Sequence, residues 1–120
     1  MKSYLLIFLA FFACSRTDKE FAEVRIDREL VDLGTYAQSE IKVASFKISN
    51  VGSLPFVIED VSMDCQCTLV DWSTLRVPPS GSTVIKVNYD NSNTGIYQKL
   101  VYIKANTAKP ITLVIRGKIV

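Results

Sequence analysis

The sequence predicts an all-β protein, an antiparallel immunoglobulin-like β-sandwich of seven to eight strands behind a cleaved signal peptide. Three observations carry that expectation. From Ala22 onward, apolar and polar residues alternate with a period of two. The alternating runs are short and separated by turn residues at near-regular spacing, the pattern of a sandwich. Ahead of them stands one apolar block, residues 4–13, where a bilayer-spanning helix needs about 20 residues.

That block comes first in the chain. Lys2 gives a short positive start, residues 4–13 (YLLIFLAFFA) are apolar or aromatic without a break, and residues 15–20 turn polar. This is the layout of a secretory signal. Ala13 followed by Cys14 resembles a bacterial lipoprotein processing site, at which the cysteine thiol is acylated and becomes the new N-terminus. The other reading is an ordinary cleaved signal with Cys14 free or in a disulfide. The expected organisation is a signal peptide over residues 1–13, a lipidated Cys14 with a short tether over 14–21, and one sandwich domain over 22–120. The six residues 15–20 reach roughly 20 Å at most, which holds the domain close to a membrane surface. Ser15 after Cys14 fits outer-membrane sorting by analogy with other lipoproteins, and Arg16 and Lys19 dilute the acidic signal that would mark surface exposure.

The strands follow in order. Ala22, Val24 and Ile26 alternate with Glu23, Arg25 and Asp27; Val31 and Leu33 flank Asp32 before Gly34 breaks the pattern. A helix over residues 18–30 competes there, but its apolar positions fit a period of two better than 3.6. Ala44, Phe46 and Ile48 alternate with Ser45, Lys47 and Ser49, and Asn50, Val51, Gly52 and Ser53 then signal a turn. Phe56, Ile58 and Val61 form the next run, with Pro55 at its start, where a strand tolerates it. Residues 69–72 read as a short strand and residues 77–82 as loop. Thr83, Ile85, Val87 and Tyr89 alternate again, residues 90–95 are a second strong turn, and residues 97–104 and 111–120 close the set.

Composition limits the chemistry. A length of 120 residues fits one domain. With 48% hydrophobic and 22% charged residues, the chain is not of disordered type. Its net charge of +2 includes no long basic stretch, so nothing points to nucleic acid. The absence of histidine removes Ser-His-Asp and Cys-His catalysis and histidine-ligated metal.

One ordered set of residues points to a family. Phe46 through Gly52 (FKISNVG), then Pro55 to Ile58 (PFVI), then Cys65, Gln66, Cys67 and Thr68, then Pro79, Ser80 and Gly81, then Gly95, Asn106 and Ile115-Arg116-Gly117 follow one another. This order resembles a bacterial domain-of-unknown-function family with a Cys-Gly-Cys-Thr motif, whose members are often lipoproteins of Bacteroidetes. The resemblance covers about residues 31–120. It implies an immunoglobulin-like fold related to the ASPM-SPD-Hydin and PapD-like domains, and no biochemical activity. Gln66 departs from the pattern, standing where the family usually has glycine.

Cys65 and Cys67 are the chemically loaded pair. In an extended strand they sit roughly 6.6 Å apart at Cα, too far for a disulfide unless the chain bends. A glycine between them eases that bend and Gln66 does not. If the stretch is extended, Met63, Cys65 and Cys67 share one face, and soft sulfur ligands select Cu(I). Buried structural thiols, a local disulfide, a redox-active dithiol and a Cu(I) site therefore all stand open. Asp60, Asp64 and Asp71 match no calcium loop and read as a solvated face. Trp72, Tyr89, Tyr97 and Tyr102 are either a ligand surface or core filling.

The functional expectation is a non-enzymatic, lipid-anchored envelope protein without a cofactor other than the lipid on Cys14. It is monomeric in isolation and binds an envelope protein through loops containing Asp64, Gln66, Thr68, Pro78, Pro79 and Ser80. Two alternatives belong to other classes: a thiol redox or Cu(I)-handling protein using Cys65 and Cys67, and a self-associating structural protein.

Overall fold

The computed structural model describes residues 20–64, 67–89 and 92–120, and for residues 67–70 the backbone alone. Eight strands and no helix are present among them: β1 (Val24–Ile26), β2 (Leu30–Tyr36), β3 (Val43–Asn50), β4 (Ile58–Met63), β5 (Cys67–Asp71), β6 (Ser82–Tyr89), β7 (Gly95–Ala105) and β8 (Ile111–Ile119). They form two four-stranded sheets, ordered β1-β3-β6-β5 and β2-β8-β7-β4. The period-two pattern becomes the sandwich directly. In β8, Ile111, Leu113, Ile115 and Ile119 are buried while Thr112, Arg116 and Lys118 face water. Phe46 and Ile48 of β3, Ile85 and Val87 of β6 and Val101 and Ile103 of β7 close the core from both sheets at zero exposure. Each such side chain contributes about 1.5–3 kcal/mol by leaving water.

Over residues 20–30 the segment for which a helix competes forms no helix. It breaks instead into β1 and β2, which belong to different sheets. β1 pairs antiparallel with β3, and β2 pairs parallel with β8, the one parallel pair among the described residues. The change of sheet is made at Asp27. Its amide donates to the Lys47 carbonyl, and its carboxylate accepts the Lys47 and Arg28 amides. The Glu29 carbonyl then already accepts from Val114 in the second sheet. Gly34, with φ +72°, lies between Asp32 and Thr35, where β2 slips register against β8. The run expected to begin at Phe56 starts as a strand only at Ile58. Phe56 is fully buried and makes an isolated bridge with Val77, trading amide-to-carbonyl bonds of 2.9 and 2.8 Å.

One end of the sandwich is fastened by two asparagines. Asn50 is 2% exposed, and its Nδ2 donates to the Leu54 and Val77 carbonyls at 2.7 and 3.0 Å. Its Oδ1 accepts the Gly52 amide at 3.1 Å. Its backbone also joins the loop before β6, donating to the Gly81 carbonyl and accepting from the Ser80 amide. Asn106 acts alike on the other sheet: its Oδ1 accepts the Val57 amide and its Nδ2 donates to the Pro55 carbonyl, both at 2.8 Å. The turn reading of Asn50, Gly52 and Gly81 thus has a physical basis, because the asparagine satisfies loop groups that the ladders leave unpaired.

Replacing Asn50 by alanine takes the side-chain partner from the Leu54 carbonyl and one of two bonds from the Val77 carbonyl and the Gly52 amide, which keep the Phe56 amide and the Glu23 carbonyl. Asn50→Ala is expected to lower unfolding free energy by about 1–3 kcal/mol, read by denaturant titration. Ser80 holds φ +68° without being glycine. Ser80→Gly relieves that conformation and is expected to raise stability by up to about 1 kcal/mol in the same measurement, the flexibility of glycine in the unfolded chain offsetting part of the gain.

Candidate functional site

The sequence-selected residues fall into three groups. Cys14, Cys65 and Gln66 lie outside the described residues. Met63 ends β4, half-buried against the core, while Cys67 and Thr68 open β5 in the opposite sheet. Met63 and Cys67 therefore stand on strands of different sheets, and the joining residues 65–66 lie outside the described residues. Asp64 is exposed and structural: its Oδ1 accepts the Leu100 amide at 2.9 Å, closing the β4–β7 ladder. Pro78, Pro79 and Ser80 are exposed at the asparagine-fastened end, just before β6.

These positions do not compose one surface. Cys67 stands opposite Tyr89 at the far end of β6, while residues 78–80 precede Ser82 at its beginning. Seven strand steps separate Ser82 from Tyr89, roughly 23 Å. The three acids disperse as well. Asp60 pairs in register with Lys104, Asp64 follows the end of β4 and accepts the Leu100 amide midway along β7, and Asp71 lies opposite Lys86 in the other sheet.

The aromatic residues divide. Tyr97 is 6% exposed, shares a 2.6 Å hydroxyl hydrogen bond with buried Tyr36 and stacks on Tyr89 with ring centroids 3.8 Å apart. Trp72 packs partly buried against the core, and Tyr102 faces outward. The cluster is core filling at one end of the sandwich. Gly117 makes it possible, since a Cβ there would meet the Tyr97 hydroxyl at 2.7 Å. Burial, then the Tyr36 hydrogen bond, raises the Tyr97 phenol above its ordinary value of 10.0.

What the sequence did not indicate are the surfaces made by pairing distant strands. On the outer face of the second sheet, the β2 bulge opens a shallow dish of about 470 Å³ around Gly34, with Ile96 and Lys118 at its rim. Asp32 and Arg116 meet across it, the Arg116 Nε donating to Asp32 Oδ2 at 3.1 Å. The Gly34 amide, then Arg116, holds the Asp32 carboxyl below the usual carboxylate range. These partners are 84 residues apart, and no local spacing announces them. On the flank, where the leading segment leaves β3's sheet for β8, a groove of about 430 Å³ lies between β1 and the start of β8. Val24, Ile26 and Ile111 give it apolar walls, and Glu29 and Lys109 are at its rim.

Two four-stranded sheets with a sheet-switching leading segment define an immunoglobulin-like β-sandwich. The chain belongs to the family described as Protein of unknown function (DUF1573), whose model matches residues 24–119. No curated protein matches the sequence. Among solved structures, a protein of unknown function from Porphyromonas gingivalis W83 is similar at 20% identity and TM-score 0.72, covering 87% of this chain and 50% of that one. A PapD-like domain of human CEP192 is similar at 12% identity and TM-score 0.66, covering 93% of this chain and 95% of that one. The Vibrio cholerae VesB protease contains a similar region at 14% identity and TM-score 0.67, covering 79% of this chain and 31% of the protease. A Pseudomonas aeruginosa chaperone, CupB2, is similar at 12% identity and TM-score 0.57, over 78% of this chain and 54% of that one. The chain thus spans 31% to 54% of these three bacterial proteins, and identities this low establish the fold alone.

The tyrosine cluster yields an alkaline test. Folded Tyr97 keeps its proton where an unfolded tyrosine loses it, near pH 10. Its contribution to stability is therefore complete below that pH and is lost as pH rises further. Tyr97→Phe is expected to flatten the fall in melting temperature between pH 9 and 11, followed by circular dichroism.

Proposed function

We propose that this protein is a non-enzymatic module, fixed to the bacterial cell envelope by a lipid on Cys14, that binds a protein partner near the membrane surface. The observation that carries the reading is the sandwich itself. It is PapD-like, it ends two sheets in open strand edges, and its structural neighbours include chaperones, one of them periplasmic. Open edges bind extended segments of other chains by main-chain hydrogen bonding.

The anchor rests on Lys2, the apolar block of residues 4–13 and the position of Cys14 after Ala13. One acyl chain binds a membrane only marginally, and two or more hold it stably. The tether over residues 15–20 then keeps the domain within about 20 Å of the lipid, which favours lipid-proximal or membrane-embedded partners. Ser15 supports the outer membrane as the address.

The native protein is expected to partition into the detergent phase of a Triton X-114 separation and Cys14→Ser into the aqueous phase, with mass spectrometry finding acyl groups only on the former. An unmodified N-terminus and aqueous partitioning of the native protein overturn the anchor. Crosslinked membranes should yield one defined partner with the anchored protein as bait, and failure to retain any protein above a misfolded control overturns the binding reading.

A further inference from the structure

The four edge strands of the sandwich are not equivalent. β2 slips register between Asp32 and Thr35, β4 between Ile58 and Asp60, and β5 between Leu69 and Asp71. Such bulges interrupt an edge and discourage a further strand from adding to it. β1 alone pairs without a slip, Val24 with Asn50, Arg25 with Ser49 and Ile26 with Ile48. Backbone bonds from Val51 and Gly52 to Glu23, and from Asp27 to Lys47, extend the regular stretch by a residue at each end.

Those bonds fix which way the backbone points. Glu23, Arg25 and Asp27 face β3, so the amides and carbonyls of Val24 and Ile26 face away from it, toward the flank groove. Among the described residues nothing bonds to them. Thr112 of β8 presents its own amide and carbonyl from the facing side, because β8 uses its odd-numbered residues for β7 and is joined to β2 only from Val114 onward. The two edges therefore stand across a groove of about 430 Å³, with the side chains of Val24, Ile26 and Ile111 along it.

We propose that this groove is the docking site, and that its occupant is an extended segment of a second polypeptide, added as a strand along β1. The inference rests on the protein-binding reading above and names the surface and the chemistry of the partner. The walls require apolar side chains at alternate positions, since every second residue of an added strand points between the sheets. The rim asks for opposite charges at the two ends of the segment. Glu29 lies where the chain crosses to β2, and Lys109 lies at the other end, ahead of β8. A lipid chain meets the apolar walls but leaves the backbone donors and acceptors unused, which disfavours it.

The test uses the full-length protein extracted in detergent and the heptapeptide Lys-Val-Thr-Val-Thr-Val-Glu, with its charge-reversed form and a form carrying proline at the central position. Amide exchange is followed residue by residue. Either alternating peptide is expected to slow exchange at Val24 and Ile26 at least about tenfold, and the proline form to lose most of that effect. Val24→Pro removes an outward amide that makes no bond to β3, a position where an edge strand accepts proline. It is expected to weaken peptide binding roughly three- to tenfold. If that variant melts early, the exchange measurement on the unaltered protein decides alone. Exchange already slow at Val24 and Ile26 without peptide means the edge is occupied, and overturns the proposal. So does unchanged exchange at millimolar peptide. If the crosslinked envelope partner slows exchange only elsewhere, for example at residues 78–81, the protein-binding reading stands and this site falls. If no partner is captured either, both fall.

Discussion

A leading strand can hydrogen-bond to one sheet at a time, and here it divides itself between two. Up to Asp27 it belongs to β3, and from Glu29 it belongs to β8. The carboxylate of Asp27 makes the transfer possible by accepting the Lys47 amide in place of a backbone carbonyl. The division ties the two sheets together covalently on one flank, and it opens the groove there. A leading segment that stayed with β3 would leave β8 without its parallel partner and remove the bulge at Gly34 with the dish beside it.

The two ends of the sandwich are held by different physics. At one end, Asn50 and Asn106 each link loop segments to a strand through side-chain amides, so loops without ladder partners still have their polar groups satisfied. A short amide suits this because it both donates and accepts from one planar group. At the other end the closure is aromatic: Tyr36 and Tyr97 share a hydroxyl bond, Tyr89 stacks on Tyr97, and Gly117 leaves the room they need. The first end is rigid by bonding and lies where the chain joins its N-terminal segment, since the Ala22 amide donates to the Asn106 carbonyl. The flank groove begins beside that junction.

Exposed charge pairs add little to this framework. Arg116 with Asp32 and Lys104 with Glu59 are solvent-accessible, and water screens such pairs. Their effect lies in surface character. Outward-facing charges on the bulged edges, such as Glu59 and Asp60 of β4, oppose strand addition there. β1 has Arg25 on its outer face, but its groove side is lined by Val24 and Ile26.

The alternation of Ala44, Phe46 and Ile48 and of Ile111, Leu113 and Ile115 was enough to read strands and core, because a two-residue period has one structural meaning where one face is buried. The turn roles of Asn50, Gly52 and Gly81 were legible for a similar reason, being local chemistry. The sequence did not disclose that Met63 and Cys67 would belong to different sheets, that Cys67 and residues 78–80 would lie at opposite ends of β6, or that Asp32 would meet Arg116. Each depends on which strands become neighbours, a matter settled by long-range pairing between residues far apart in the chain. Nor did Val24 and Ile26 look like more than core positions: their side chains were readable from the pattern, while the direction of their free amides was decided only when β1 took β3 as its partner.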